Sequence, residues 1–305
     1  MPSHPARRIP CYGRRRDPSA PLEPSQVRQI ITRSNSGGLT VSADIVSVKV
    51  WGEFALFTRP ELKVERLSYP LMTPSAARGV LDAIVYRPQM SWHVRRITVL
   101  EPTFPADFPK QAAQQPYRLI GIRRNEIQGK IAPRTVEGWM KSPSSFEPYL
   151  VDSAGREGAQ GQNRTQRNSL ILQHVAYRID ATPLLTNRAN RPRAKPEDEE
   201  DHGLDTPAKY VGMFQRRVVK GQYFHCPYLG CREFACHFAA PDGSEKPLAG
   251  WSESLGLMLY DIRFDPKGAN RPGFFFAKVD KGVLHCDTKG PGPNGEAPVE
   301  VLGWD

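Results

Sequence analysis

The chain has 305 residues and a formal net charge of +10, with 42 Lys and Arg against 32 Asp and Glu, so a polyanion is the expected class of partner. It contains no run of about 18 apolar residues, which excludes a membrane-spanning helix, and five Cys without a CxxC pair argue against a disulfide framework. These features predict a soluble protein in a reducing, cytoplasmic compartment, and the 29 Pro and 25 Gly favour a turn-rich α+β fold of two modest units over a helical bundle.

Residues 1–44 are predicted to be a disordered basic tail. Seven Arg there face only Asp17, Glu23 and Asp44, and no apolar period is sustained. An Arg-rich start also suits a transit peptide, or a start codon chosen too far upstream, and both alternatives remain open at this point.

Order is expected from residue 45, where alternating Val46, Val48 and Val50 predict a buried strand. A helix is then predicted to begin at Thr73 and Pro74 and to end at Pro88. Two further predicted strands each carry an Arg pair, one at 95–96 and the other at 123–124.

The middle of the chain alternates irregular and regular segments. Residues 132–166 are expected to be irregular, and the next stretch, entered through Arg164 and Arg167, to be a long strand with Leu170, Leu172, Val175 and Tyr177 inside. Residues 187–205 have a basic half and an acidic half, which predicts a charged insertion. This order of elements predicts a split βαβ, ferredoxin-like domain over 45–234, followed by a β-rich extension over 235–305 with strands in 255–264, 273–286 and 299–304.

Thr206 to Phe234 is the most informative stretch. Thr206 is a natural N-cap, Pro207 suits the first helical position and Gly221 ends the helix. At helical spacing a basic stripe of Lys209, Arg216 and Lys220 lies opposite an apolar stripe of Val211, Phe214 and Val218. The basic stripe suits an anionic ligand, although a merely solvated surface is the alternative.

A strand rich in Cys, His and aromatic residues is predicted after this helix. Its His225, Cys226, Cys231, Cys236 and His237 lack the paired spacing of a zinc site, so buried structural Cys is favoured over a metal. The sequence contains no Walker loop, GxGxxG, HExxH or GxSxG motif, which leaves nucleotide hydrolysis, dinucleotide redox chemistry and serine hydrolysis without support.

Basic residues interleaved with Trp and Tyr predict single-stranded RNA recognition, because cations neutralise phosphates while rings stack on splayed bases. The alternative is that most of these rings belong to the core. The predicted RNA-binding residues are Arg59, Arg66, Arg78, Arg164, Arg167, Arg216, Arg217, Lys220 and His225.

Four segments resemble a known family: WGEFALFTRP at 51–60, SYPLMTPSAARGVLDAI at 68–84, RTQR at 164–167 and MFQRRVVKGQYFHCPYLGCREF at 213–234. They are similar to the CRISPR-associated RAMP endoribonuclease of the type I-C system. The resemblance implies a ferredoxin-like (RRM-like) RAMP domain and cleavage of precursor CRISPR RNA within the repeat, without metal or cofactor. It also implies retention of the 5′ handle of the guide RNA in the Cascade complex, beside its backbone and large subunits. Double-stranded DNA is a possible second ligand of the same basic surface.

In that family the catalytic set is a Tyr late in the first helix and a Lys-His pair at the start of the second. Lys209 matches the Lys, but Tyr210 stands at the His position, and Val85 at the Tyr position with Tyr86 beside it. The resemblance therefore implies either a rearranged site of Tyr86, Lys209 and Tyr210, with His225 as a further member, or a subunit that binds RNA without cutting. A general RNA-binding protein outside CRISPR defence is the third hypothesis.

Overall fold

The first strand is built as its alternating pattern predicts. In a computed structural model, strand β1 (Val46–Ala55) buries Val46, Val48 and Val50 and turns Lys49 and Trp51 to the other face. The structure describes residues 44–62, 64–101, 115–127, 133–145, 164–189, 204–264, 269–292, 295 and 297–304.

The other elements of the described residues follow in chain order. They are β2 (Arg66–Leu67), α1 (Pro74–Ile84), β3 (Met90–Val99), β4 (Leu119–Ile127), α2 (Pro133–Lys141), a 3₁₀ turn (Pro143–Ser145), β5 (Arg164–Leu185), α3 (Pro207–Lys220), β6 (His237–Ala239), β7 (Glu253–Arg263), β8 (Arg271–Asp280) and β9 (Val283–His285).

These strands form one sheet in the order β6-β1-β5-β3-β9-β8-β7, and β2 and β4 pair with β5 off this path. Neighbours are antiparallel except for β2 and β5. The predicted mixed α and β fold is confirmed at this level.

Strand β5 has 22 residues and changes partners along its length. Its first part pairs with β4, and its second part pairs with β1 and β3. His174 lies at the change with a φ of 51°, which interrupts the alternation of the strand and allows Leu172 and Tyr177 to be buried on the same side. Both are buried as predicted, and Val175 is partly buried, whereas Leu170, in the part paired with β4, is 44% exposed and the prediction was wrong for it.

Helices α1 and α3 pack against one face of the sheet. Thr73 caps α1 by accepting the Ala76 N–H at 3.2 Å, and the rings of Trp92 in β3 and Phe214 in α3 lie 5.0 Å apart. A single hydrophobic cluster continues from these helices into β7 and β8 through Met258 and Phe275. Strand β9 joins β3 to β8, so the C-terminal strands share the core of the rest of the chain.

Some sequence predictions were wrong. Part of the supposedly irregular 132–166 is helix α2, whose Val136, Trp139 and Met140 recur at helical spacing in the sequence although the helix buries no side chain. Helix α1 ends at Ile84, before Pro88, because Val85 is already extended. Residues 299–304 contribute only an isolated bridge between Phe274 and Leu302.

Two predictions fall mainly on residues that the structure does not describe. Residues 1–43 of the predicted tail and 190–203 of the charged insertion lie outside the described ranges. Within those ranges, no helix is long and apolar enough to cross a membrane.

Candidate RNA-processing site

Helix α3 positions the basic stripe through its two caps and its apolar face. The Thr206 hydroxyl accepts the Lys209 N–H at 3.3 Å, and Gly221 adopts the left-handed conformation with a φ of 63°. Tyr210, Val211, Phe214 and Val218 are buried, and the predicted helix bounds and apolar stripe are therefore confirmed. On the basic stripe, Arg216 and Lys220 are exposed.

A charged cluster stands at the N-terminal end of α3. One carboxylate oxygen of Asp205 accepts from Lys209 Nζ at 3.2 Å and from Tyr210 Oη at 2.7 Å. Asp205 is only 8% exposed, whereas the Lys209 side chain keeps 31% of its surface. This ion pair holds a partly exposed Lys209 side chain at the start of α3, and the i, i+4 spacing of Asp205 and Lys209 was the sequence signal that could have found it.

Tyr210 is not available as a surface base in this arrangement. The residue is 2% exposed and its hydroxyl donates to Asp205. Its geometry suits a positioning role for Asp205 and Lys209 more than direct contact with RNA.

The other end of α3 contacts the end of α1. Arg217 Nη1 donates to the Ile84 carbonyl at 2.6 Å, and the N–H groups of Phe224 and His225 donate to the Ala83 carbonyl at 2.7 and 3.2 Å. These bonds satisfy the last carbonyls of α1 and place Tyr86, which is 51% exposed, in the same region.

The predicted catalytic residues therefore divide into two groups. Lys209 and Tyr210 lie at the start of α3, while Tyr86 lies beside Arg217 and His225 at its end. Lys209 and Arg217 are eight residues apart, which is about 12 Å along the helix axis. An RNA strand that contacts both groups has to run along α3.

The segment after α3 is a turn rather than the predicted strand. Tyr228 and Ala235 form one isolated bridge, and Gly230 has a φ of 84°. A Cβ atom on Gly230 would lie 2.0 Å from the Leu56 carbonyl oxygen, so the close approach of this turn to the end of β1 requires glycine.

Two predicted RNA-binding residues lie near this turn. Arg66 Nη1 lies 3.7 Å from Cys231 Sγ, and burial raises the pKa of that thiol although Arg66 opposes the shift. The Arg59 guanidinium lies 4.9 Å from the centre of the Tyr69 ring and 3.9 Å from Glu61. Both cations are partly exposed and close to the end of β1.

Arg78 is occupied by protein carboxylates. It lies 2.7 Å from Asp261 in β7 and 3.6 Å from Asp82 in its own helix. Burial disfavours its charged form, but the two carboxylates outweigh burial and raise the pKa of Arg78. A phosphate would have to compete with both, and the observed contacts give Arg78 the role of fixing α1 to β7.

A further basic surface lies where β4 pairs with β5. Arg124 stands opposite Arg167, and Arg123 opposite Asn168. Arg164 begins the same strand, but its side chain is not among those described. Arg124 was absent from the predicted set, because only the strand register places it beside Arg167. Arg123, also absent from that set, points to the opposite face of the sheet.

The cysteines differ from one another in environment. Cys236 is buried, as favoured from the sequence, but Cys231 is only partly buried and Cys226 is exposed, so the expectation of buried cysteines was wrong for Cys226. Cys286, which was not part of that expectation, is also buried. Among the residues the structure describes, no group of three His, Cys, Asp or Glu could hold a metal ion.

Comparisons with known proteins give a consistent family. Residues 45–287 match the family model described as CRISPR-associated protein (Cas_Cas5), of the Cas5d type. The chain is 38% identical over 249 residues to a protein of Mannheimia succiniciproducens named CRISPR pre-crRNA endoribonuclease Cas5d, covering 79% of this chain and 94% of the relative. A protein of the same name from Thermus thermophilus is 39% identical over 241 residues, covering 78% and 82%.

Two solved structures resemble the chain more distantly. One is described as a CRISPR-associated protein, with 19% identity, a TM-score of 0.47 and coverage of 84% of this chain and 96% of that chain. The other, a CRISPR RNA-guided surveillance complex, has 8% identity, a TM-score of 0.36 and coverage of 85% and 89%. Both TM-scores are below 0.5, so neither structure is used to argue about the function of this chain.

Proposed function

Because the chain belongs to the Cas5d family of CRISPR-associated proteins, as the type I-C motifs indicated, we propose that it cleaves precursor CRISPR RNA within the repeat. It then keeps the 5′ handle and becomes a subunit of type I-C Cascade, beside the backbone and large subunits. The proposal is supported by two relatives at 38% and 39% identity that carry the name of such an endoribonuclease.

We also infer a ferredoxin-like RAMP domain, which the sequence predicted over residues 45–234. The supporting observation is the order β6-β1-β5-β3 for four antiparallel strands, reached in the chain order β1, α1, β3, β5, α3, β6. Strand β6 (His237–Ala239) follows residue 234, so the fourth strand of this domain comes from across the proposed boundary with the β-rich extension.

Cleavage proceeds in this proposal by attack of the 2′-hydroxyl oxygen on the adjacent phosphorus. The bond from phosphorus to the 5′-oxygen breaks, and the products are a 2′,3′-cyclic phosphate and a 5′-hydroxyl. Negative charge on the phosphate rises in the transition state, and a fixed cation beside it lowers the barrier. Lys209 supplies that cation, because Asp205 holds its ammonium group at 3.2 Å while part of the side chain stays accessible.

Other predicted residues along α3 bind the strand on either side of the cut. The exposed cations Arg216 and Lys220 follow Lys209 along α3 and lead to Tyr86 and His225 at its other end. Phosphates along this path lie beside cations, and an unpaired base stacks on the exposed Tyr86 ring. Double-stranded DNA remains a proposed second ligand of the same surface, since phosphate contacts do not distinguish the two nucleic acids.

The test is cleavage of repeat RNA in the presence of a chelator. Wild type is expected to cut in EDTA, and Lys209→Ala to cut about 10²- to 10³-fold more slowly at saturating RNA, as for loss of one charge-stabilising donor. The matched control, Lys220→Ala on the same stripe, weakens binding and leaves the rate at saturation within a few-fold. A requirement for Mg²⁺, or an unchanged rate for Lys209→Ala, would remove the proposed mechanism.

A second function, binding of the repeat without cleavage, is favoured by a specific observation. Tyr210 is buried at the His position of the family, and Tyr86 lies near the opposite end of α3 from Lys209. This alternative predicts tight binding of the repeat RNA, which stays intact under every metal condition. Equal affinity for repeat and scrambled RNA would instead indicate a general RNA-binding protein.

A further inference from the structure

The face of the sheet turned away from α1 and α3 carries a groove of about 920 Å³. Its floor is formed by β1 and β5, where Val48 and Val50 point into the core and Lys49 and Trp51 point the opposite way. The lining residues used below are Lys49, Trp51, Glu53, Glu101, His237 and Lys246. The groove and the basic stripe of α3 are therefore on opposite faces of the sheet.

An aromatic surface forms one side of this groove. Trp51 of β1 stands opposite His237 of β6, and their rings stack with centroids 5.8 Å apart and planes inclined by 26°. On the β5 side Trp51 is paired with Ala176, whose small side chain leaves the indole 37% exposed. Lys49 Nζ lies 5.9 Å from the indole centre.

Residues 244–246 form another wall of the groove. The Glu101 N–H donates to the Lys246 carbonyl at 2.8 Å, and the Leu248 N–H donates to the Val99 carbonyl at 2.9 Å. This backbone pairing holds Lys246 in the wall, and its side chain is exposed.

We propose that this groove binds an unpaired RNA base that stacks on Trp51, with the neighbouring phosphates against Lys49 and Lys246. An exposed ring with cations beside it is the combination that binds single-stranded RNA, whereas bases in a duplex are already stacked on one another. The inference rests on the proposed function only in taking RNA as the ligand.

The carboxylates of the groove determine which base is bound. Glu53, Glu101 and Glu245 line the same groove as Trp51. Glu245 already accepts from the N–H groups of Asp242 and Gly243 at 2.9 and 3.0 Å. Glu53 and Glu101, by contrast, are exposed. They repel phosphate but accept hydrogen bonds from exocyclic amino groups, as carboxylates do from the N4 amino group of cytosine. Adenine, guanine and cytosine carry such a group and uracil does not, so the groove selects against uracil.

The test measures binding of fluorescent ten-nucleotide oligocytidine and oligouridine to the full chain in EDTA. Wild type is expected to prefer oligocytidine, and Trp51→Leu to lose roughly 5- to 150-fold in affinity for it, the effect of one lost stacked base. Trp51→Phe keeps a ring and retains most of the affinity. Phe276→Leu, which removes a 76% exposed ring from β8, is the matched control and stays within twofold of wild type.

Ultraviolet crosslinking of RNA containing 5-iodocytidine then locates the base, with Trp51 or His237 as the expected attachment points. Equal affinities of wild type and Trp51→Leu, equal losses for the Leu and Phe variants, or crosslinks confined to α3 would each overturn the inference.

Binding is measured without cleavage, so its outcome is separate from that of the proposed nuclease activity. Uncut RNA bound through Trp51 removes the cleavage proposal alone, and cut RNA bound independently of Trp51 removes this one alone. A preference for protein partners with no binding of oligocytidine also contradicts it.

Discussion

Replacement of Asp205 tests whether the cluster at the start of α3 holds Lys209 in place. Asp205→Ala removes the oxygen that accepts from Tyr210 Oη at 2.7 Å and from Lys209 Nζ at 3.2 Å. Asp205→Asn keeps an acceptor oxygen for the tyrosine hydroxyl and removes only the charge. The two variants separate the hydrogen bond from the ion pair.

The expected magnitudes follow from exposure. Tyr210 is 2% exposed, so loss of its bond to a charged acceptor costs about 1.5–3 kcal/mol of unfolding free energy. Lys209 keeps 31% of its side-chain surface, and solvent screening limits its ion pair to about 0.5–1 kcal/mol. We expect Asp205→Ala to cost about 2–4 kcal/mol, and Asp205→Asn about 1 kcal/mol.

Urea unfolding followed by circular dichroism measures these values, and Tyr210→Phe completes a double-mutant cycle with Asp205→Ala. The double variant should cost at least about 1 kcal/mol less than the sum of the single variants, because each single change leaves a buried partner behind. Strict additivity, or an Asp205→Ala midpoint equal to that of wild type, would refute the reasoning. Single-turnover cleavage on the same samples should show Asp205→Asn slower than wild type, since Lys209 is then no longer held.

Three other predictions concern packing and charge. Arg217→Met loses the 2.6 Å hydrogen bond to the end of α1 and should lower the free energy of unfolding in urea by about 1–2 kcal/mol. Arg216→Met, at an exposed position of the same helix, should change it by under about 0.5 kcal/mol. Equal costs for the two variants would contradict the role of the hydrogen bond. Burial raises the pKa of Asp82 from 3.8 to about 6, although the neighbouring Arg78 guanidinium opposes the shift. As pH rises, the unfolded chain loses this proton before the folded chain does, so the free energy of unfolding falls between pH 3.8 and about 6. The fall is on the order of 2–3 kcal/mol. Asp82→Asn should flatten that part of the profile in thermal melts at pH 4 to 7, and an unchanged slope would show the carboxyl to be ionised normally. Gly230→Ala should lower the free energy of unfolding by at least about 2 kcal/mol, because the new Cβ would lie 2.0 Å from a backbone oxygen. Gly212→Ala in α3 meets nothing within 4 Å and should raise the free energy of unfolding by about 1 kcal/mol. Similar melting temperatures for the two variants would refute the turn geometry.

Local patterns predict the regular elements well where one face of an element packs into the core. The alternation of Val46, Val48 and Val50 and the caps Thr206 and Gly221 predict their elements correctly, since each depends on neighbours within a few residues. Helix α2 was missed although its Val136, Trp139 and Met140 have helical spacing, and the exposure of Leu170 was missed because burial along β5 depends on what covers each part of the strand.

The amino-acid sequence alone predicts the family, the basic character and the helix that presents Lys209. Motifs, charge and helical period are properties of residues close together along the chain. Asp205 and Lys209 likewise already have the i, i+4 spacing of a helical ion pair in the sequence. The burial of Tyr210 and the position of Tyr86 at the far end of α3, by contrast, emerge only when the chain is folded. They depend on which side of an element is covered and on how α1 and α3 pack. The open sheet face with Trp51 beside His237 has the same origin, since strand pairing brings two rings from distant parts of the chain to a separation of 5.8 Å.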